Sequence, residues 1–172
     1  MIFYYSGTGN TQKLAKIISE RIHDQTIDIE KAISDEKYEY ELGDTESLGF
    51  AIPVYFGSVP AIVRDFIAKL KVKTGEHYYG YLVMTDGGMS FKTSDQITLM
   101  LIKSGLTLNA IFELVAYDSS AIAWKNETID WDKLKHAVET QSAFIAEQIA
   151  DRTTGSFYKK QLLAGLGTAS MH

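Results

Sequence analysis

The sequence predicts an α/β fold: a five-stranded parallel sheet wrapped by helices on both faces, a three-layer doubly wound architecture. Three observations carry this. Strand-like apolar runs alternate with helix-patterned segments from Met1 to about residue 150. Met1–Tyr5 and Leu48–Val54 are apolar on consecutive residues, as strands buried on both faces must be. No linker or internal repeat divides the chain. Strands alternating with helices in this way imply βαβ units and a parallel sheet.

Each element follows in order. Met1–Tyr5, rich in Ile, Phe and Tyr, is the first strand. Asn10–His23 is a helix with Leu14, Ile17, Ile18 and Ile22 at helical spacing. Thr26–Ile29 is a short second strand. Lys31–Glu46 is acidic and weakly patterned and reads as loop, with one turn of helix at most. Leu48–Val54 is the third strand, ended by the loop around Pro53 and Gly57. Pro60–Leu70 is a helix: proline suits its first turn, and Ile62, Val63, Phe66, Ile67 and Leu70 make its inner face. Tyr78–Thr85 is the fourth strand, closed by Asp86-Gly87-Gly88. Phe91–Lys103 is helical, with Gly105 as its stop signal. Leu106–Tyr117 carries the fifth strand. Ile129–Ala150 is the longest helix, with Leu134, Ala137, Val138, Ile145 and Ile149 inward. The domain therefore runs over 1–151. Residues 152–172 form a tail, with Phe157, Leu162, Leu163 and Leu166 among small and polar residues. It reads as a short helix or flap that packs on the domain or extends from it.

Composition narrows the function. A chain of 172 residues suits one domain with a sizeable core. Hydrophobic residues at 45 % and charged residues at 23 % are ordinary for a globular protein. The formal charge of -5 argues against nucleic acid or an anionic membrane as the main partner. Cysteine is absent, which excludes disulfides, thiolate metal sites, iron–sulfur clusters and cysteine nucleophiles. His23, His77, His136 and His172 are scattered without ligand spacing, so no metal is expected. Met1 runs straight into a strand, with no basic region followed by an apolar stretch, and no apolar run approaches the ~18 residues of a membrane span. A cytoplasmic protein is the expectation.

Chemistry concentrates after strand one. In open α/β sheets, ligands gather outside the carboxyl ends of the strands, where strand order reverses. There Ser6, Thr8, Asn10 and Thr11 alternate with Gly7 and Gly9, directly before a helix. Glycines let the backbone fold tightly, so several N–H groups can point at one centre. The hydroxyls, the Asn amide and the positive end of the helix add to this, and the loop holds no Lys or Arg. These are the parts of a phosphate cradle made from neutral donors. A Walker loop needs Gly-Lys-Ser/Thr, which is missing, and a phosphatase loop of related shape needs a cysteine. The dinucleotide fingerprint fails at its third glycine, where Gln12 stands, although Glu30 lies at the distance of a ribose carboxylate and keeps that reading open. A Ser/Thr-rich turn that only caps the helix is the structural alternative.

Tyr4-Tyr5-Ser6-Gly7-Thr8-Gly9-Asn10-Thr11 resembles the phosphate loop of the flavodoxin family, in which an apolar or aromatic strand runs into S/T-x-T-G-N-T. The likeness covers about residues 1–150 and is greatest to the flavodoxin-like domains sometimes fused to ferredoxin, although this chain has no ferredoxin cysteines. It implies strand order 2-1-3-4-5 and FMN as cofactor. The long-chain members carry an insertion that splits strand five, and Leu106–Tyr117 has none.

In that family two further loops hold the isoalloxazine ring. The resemblance places them here at Pro53-Val54-Tyr55-Phe56-Gly57-Ser58 and at Thr85-Asp86-Gly87-Gly88-Met89-Ser90. Either Tyr55 or Phe56 would stack on the ring, with Gly57 keeping the backbone close. The second loop departs from the family's electron carriers, which usually place a tyrosine there; only Met89 and Phe91 are candidates, and Gly87-Gly88 makes a slim loop that leaves the ring open. Asp86 lies near the ring or caps the turn, and Asp118-Ser119-Ser120 lines the same rim or is structural loop. The resemblance implies an electron carrier working between redox partner proteins. The open loop leaves room for an FMN-dependent NAD(P)H:quinone-type oxidoreductase with a small electron acceptor, and a regulatory domain holding no flavin is a third class. A homodimer is left open.

Overall fold

A computed structural model of the 172-residue chain describes residues 1–86, 92–115 and 131–157. The elements are β1 (Ile2–Tyr4), α1 (Asn10–Ile22), β2 (Thr26–Asp28), α2 (Ile29–Ser34), β3 (Glu39–Glu41), β4 (Ser47–Pro53) and α3 (Ala61–Lys69), then β5 (Lys71–Lys73), β6 (Tyr79–Asp86), α4 (Thr93–Lys103), β7 (Ala110–Val115), α5 (Trp131–Ala150) and β8 (Gly155–Phe157). The main sheet runs β2-β1-β4-β6-β7-β8, and every pairing in it is parallel. The five strands expected from the sequence are β1, β2, β4, β6 and β7, in the order 2-1-3-4-5.

Side-chain alternation sorts the core into two layers. Leu14, Ala15 and Ile18 of α1 and Ile145, Ala146 and Ile149 of α5 pack on one face, against Ile2, Tyr81, Val83 and Phe112. Ala32 of α2, Val63, Phe66 and Ile67 of α3, and Ile97 and Leu101 of α4 pack on the other, against Phe3, Phe50, Leu82 and Met84. Phe3 lies 5.5 Å from Phe50 and 5.4 Å from Phe66, ring centre to ring centre. Truncating a buried Phe typically costs about 3–5 kcal/mol. This cluster therefore fixes β1 and β4 together, the two strands whose carboxyl ends carry the candidate loops.

Three expectations need correction. The sheet has a sixth strand, because Gly155–Phe157 pairs with Ala110–Phe112 and the Phe157 ring stacks on Phe112 at 5.1 Å. A three-residue Gly-Ser-Phe segment shows no alternation, so only its partner strand reveals it. Leu162, Leu163 and Leu166 lie outside the described residues. Second, Lys31–Glu46 is more ordered than a loop. The Asp28 carboxylate accepts from the N–H groups of Glu30 and Lys31 and starts α2. Glu39–Glu41 then pairs with Lys71–Lys73 in a separate two-stranded sheet, with Lys71 on Glu39 at 2.9 Å and Lys73 on Glu41 at 2.8 Å. Neither triplet is apolar enough to read as a strand alone, and the complementarity spans about thirty residues. Third, α3 begins at Ala61 with Pro60 as its cap, and α4 begins at Thr93, each a residue or two inside the expected start. Among the described residues no helix is long and apolar enough to cross a membrane.

Candidate functional site

β1 neighbours β2 on one side and β4 on the other, so chain order reverses there. The loops after β1, β4 and β6 leave neighbouring carboxyl ends, the position at which doubly wound sheets hold ligands.

The first loop is preorganised by its own residues. Ser6 Oγ accepts from the N–H of Gly9 at 3.0 Å, which leaves the Ser6 hydroxyl hydrogen free of that bond and able to donate outward. Gly9 stands at φ 89°, and a Cβ built on it would meet nothing within 4 Å, so the loop is open at that point. Among the described residues no side chain caps the start of α1, a 13-residue helix. Its first N–H groups are therefore left for a ligand or water. Thr8 is exposed and Asn10 half-buried. Thr11 points inward instead: it is buried, and its hydroxyl lies 2.8 Å from that of Thr85. Gln12, where a dinucleotide fingerprint needs glycine, donates to the Tyr4 hydroxyl, which donates in turn to Asp28.

The second loop is a tight hairpin. Pro53 and Val54 are buried, and the Val54 N–H donates to the Thr85 carbonyl at 2.8 Å. Tyr55 and Ser58 then exchange both backbone hydrogen bonds, at 3.1 and 3.0 Å, around Phe56 and Gly57. Both central residues have positive φ, 51° for Phe56 and 68° for Gly57, as in a type I′ turn. Asn-Gly is the favoured pair there, and a side chain such as Phe costs about 1–2 kcal/mol in the left-handed region. The Phe56 ring is 97 % exposed, so no packing compensates. The Gly57 carbonyl accepts from Thr93 Oγ1 at 2.9 Å, and Thr93 is fully buried at the start of α4.

Tyr55 and Phe56 diverge. The Tyr55 hydroxyl reaches the first loop, 2.7 Å from where a Cβ on Gly7 would stand, while Phe56 faces outward. The Tyr5 hydroxyl approaches the same point, at 3.9 Å. Burial raises the Tyr5 pKa above its ordinary value, and the neighbouring Tyr55 and Glu30 add to the shift.

At the end of β6, Thr85 and Asp86 are buried. Asp86 follows Leu82 and Met84 on the α3/α4 face of the sheet. Met84 pairs with Glu113 of β7, so buried Glu113 lies diagonal to Asp86 on that same face. Sequence reading passed over both Glu113 and Thr93. A charge inside the apolar run Ala110–Val115 was the available signal for the first, and nothing local marked the second. Gly87 and Gly88, with Met89, Ser90, Phe91, Asp118, Ser119 and Ser120, lie outside the described residues. Among the described residues no group of three or more His, Cys, Asp or Glu could hold a metal.

A flavodoxin domain model matches residues 1–104, more than half of the chain. The chain belongs to the flavodoxin family. No curated protein matches the sequence. Solved structures with the same fold include the azoreductase AzrA, with 11 % identity and a TM-score of 0.53 over 87 % of this chain and 97 % of that one. The azoreductase of Bacillus anthracis has 12 % identity and a TM-score of 0.51 over 88 % and 98 %. Rubredoxin oxygen:oxidoreductase from Desulfovibrio gigas has 16 % identity and a TM-score of 0.51; the match takes in 87 % of this flavodoxin-family chain but only 36 % of that larger protein.

Proposed function

We propose that this flavodoxin-family protein binds FMN and carries electrons between redox partner proteins in the cytoplasm. The observation that carries the reading is the loop Ser6–Asn10: an open, glycine-shaped turn without a cation, at the uncapped start of a 13-residue helix. The donor set fits a phosphate monoester. Ser6, Thr8 and Asn10 offer side-chain donors, and the backbone of Gly7, Thr8, Asn10 and Thr11 offers N–H groups. Charge-assisted bonds of this kind contribute roughly 1.5–3 kcal/mol each.

The ring would lie over the hairpin Pro53–Gly57 and the residues Thr85, Asp86, Gly87 and Gly88 that end and follow β6. Phe56 is the stacking residue in this reading, because it alone of the two aromatics is turned fully outward. Its hairpin is fixed by the Tyr55–Ser58 pair and by Thr93, so the backbone that carries the ring is set before any ligand arrives. When bound, FMN supplies the one- and two-electron redox chemistry; the protein orients it and sets the local field. The net charge of -5 suits partners with a basic docking patch.

A second reading is an FMN-dependent NAD(P)H:quinone-type oxidoreductase. The likeness to two azoreductases over nearly their whole length favours it. Two measurements decide. Fluorescence titration should show tight FMN binding, much weaker riboflavin binding, and a loss of at least about tenfold for FMN on Thr8→Ala with Asn10→Ala. Equal affinity for FMN and riboflavin would overturn the cofactor assignment. Steady NAD(P)H consumption with a quinone would replace the carrier by the oxidoreductase.

A further inference from the structure

We propose that the hydroxyls of Tyr5 and Tyr55 close over the phosphate end of the bound nucleotide, and that residue 7 is glycine to admit Tyr55. The inference rests on the FMN reading and adds two contacts to it. Tyr55 belongs to the hairpin that the sequence associates with the ring, yet its hydroxyl crosses to the first loop. A Cβ on Gly7 would stand 2.7 Å from Tyr55 Oη but 3.7 Å from Tyr55 Cζ, so the hydroxyl alone makes the close approach. Tyr5 Oη comes within 3.9 Å of the same point.

Neither phenol is loosely held at its backbone. The Tyr5 N–H donates to the Ala51 carbonyl at 3.2 Å, and Tyr55 is fixed by both hairpin bonds to Ser58. The chemistry suits the place. A phosphate dianion without a cation in its loop gains from every further neutral donor, and phenols donate well to anionic oxygen. Burial first, then Tyr55 and Glu30, hold the Tyr5 phenol protonated, the form that donates. Both phenols bring their polar ends within 4 Å of one point on the loop to which this reading assigns the phosphate.

The test separates this inference from the reading beneath it. Tyr55→Phe should weaken FMN binding by about tenfold and riboflavin binding by less than about twofold, with Tyr5→Phe smaller in the same direction. An unchanged ratio of FMN to riboflavin affinity in both variants, with the parent binding FMN tightly, overturns the inference and leaves the FMN reading intact. A parent that binds no FMN overturns both. Melting of the ligand-free protein tests the contact itself. Gly7→Ala should lower the melting temperature of the parent and lower it by less than half as much in the Tyr55→Phe background, because the colliding oxygen is gone. Equal losses in the two backgrounds would show that Tyr55 does not occupy the space above Gly7.

Discussion

The hydroxyls of Thr11, in the first turn of α1, and Thr85, near the end of β6, meet at 2.8 Å inside the protein. They join the end of the loop after β1 to a strand two places away in the sheet, across β4. Both side chains are at least 95 % buried, so neither hydroxyl can exchange its partner for water. Removing one strands the other. Thr11→Val and Thr85→Val should each cost about 1–3 kcal/mol, whereas the double variant, an apolar pair of the same shape, should cost clearly less than the sum. Urea unfolding of the four proteins measures the coupling. Strictly additive losses would mean that the hydroxyls do not bond.

Phe56 sets stability against binding. Its left-handed backbone costs about 1–2 kcal/mol, and its exposed ring returns nothing to the fold. Residues held in such conformations without local reward cluster at functional sites. Asparagine tolerates this region far better and is the favoured first residue of the turn. Phe56→Asn should therefore stabilise the ligand-free protein by about 0.5–1 kcal/mol while weakening FMN binding several-fold through loss of the stacked ring. A destabilised Phe56→Asn would show that the ring packs on the protein after all.

The parts legible in the sequence were those whose cause is local. Strand-period and helix-period patterns placed β1, β4, β6, α1 and α3 within a residue or two, and Ser6–Thr11 announced itself by glycine alternation before a helix. What was missed depends on residues far apart in the chain. Glu39–Glu41 becomes a strand only because Lys71–Lys73 lies beside it with opposite charges. Gly155–Phe157 needs β7 as a template. The choice between Tyr55 and Phe56 was open in the sequence, because a type I′ turn sends consecutive side chains in different directions and Phe at its first position is not a turn signal. Thr93 carried no motif; its role appears only when the start of α4 is seen against the Gly57 carbonyl.

Alkaline stability should report on a tyrosine pair below the site. Burial pushes the Tyr79 phenol up to about 12, with Arg152 pulling slightly the other way, and its hydroxyl donates to the Thr153 carbonyl at 2.6 Å. Burial raises Tyr81 well above its ordinary 10.0 as well, assisted by Asp24 and Tyr79. Both shifts favour the neutral form in the folded state. Their contribution is complete below pH 10, the unfolded value, and is lost as pH rises towards 12. For Tyr79 the loss is at most about 2–3 kcal/mol. Melting temperature should fall across this window, and Tyr79→Phe should fall less steeply than the parent. Identical slopes would place the alkaline transition elsewhere.

Thr93 offers the sharpest separation of positioning from packing. Its hydroxyl donates to the Gly57 carbonyl at 2.9 Å, and so ties the first residue of α4 to the hairpin that presents Phe56. The residue is fully buried, which means that Thr93→Val keeps the volume and removes only the donor. The Gly57 residue is half-buried, so its carbonyl can recover part of the bond from water, and the stability cost should stay near 1 kcal/mol. Binding should lose more than that. Without the tie, Gly57 at φ 68° has other turn conformations within reach, and the backbone that carries the aromatic ring is no longer set before the ligand arrives. Thr93→Val should therefore weaken FMN and riboflavin equally, by about tenfold, because the ring end and not the phosphate end is affected. Thr93→Ser, which restores the donor, should recover most of the affinity. If Thr93→Val weakens only FMN, or if Thr93→Ser fails to rescue, the hydrogen bond does not position the ring-side hairpin.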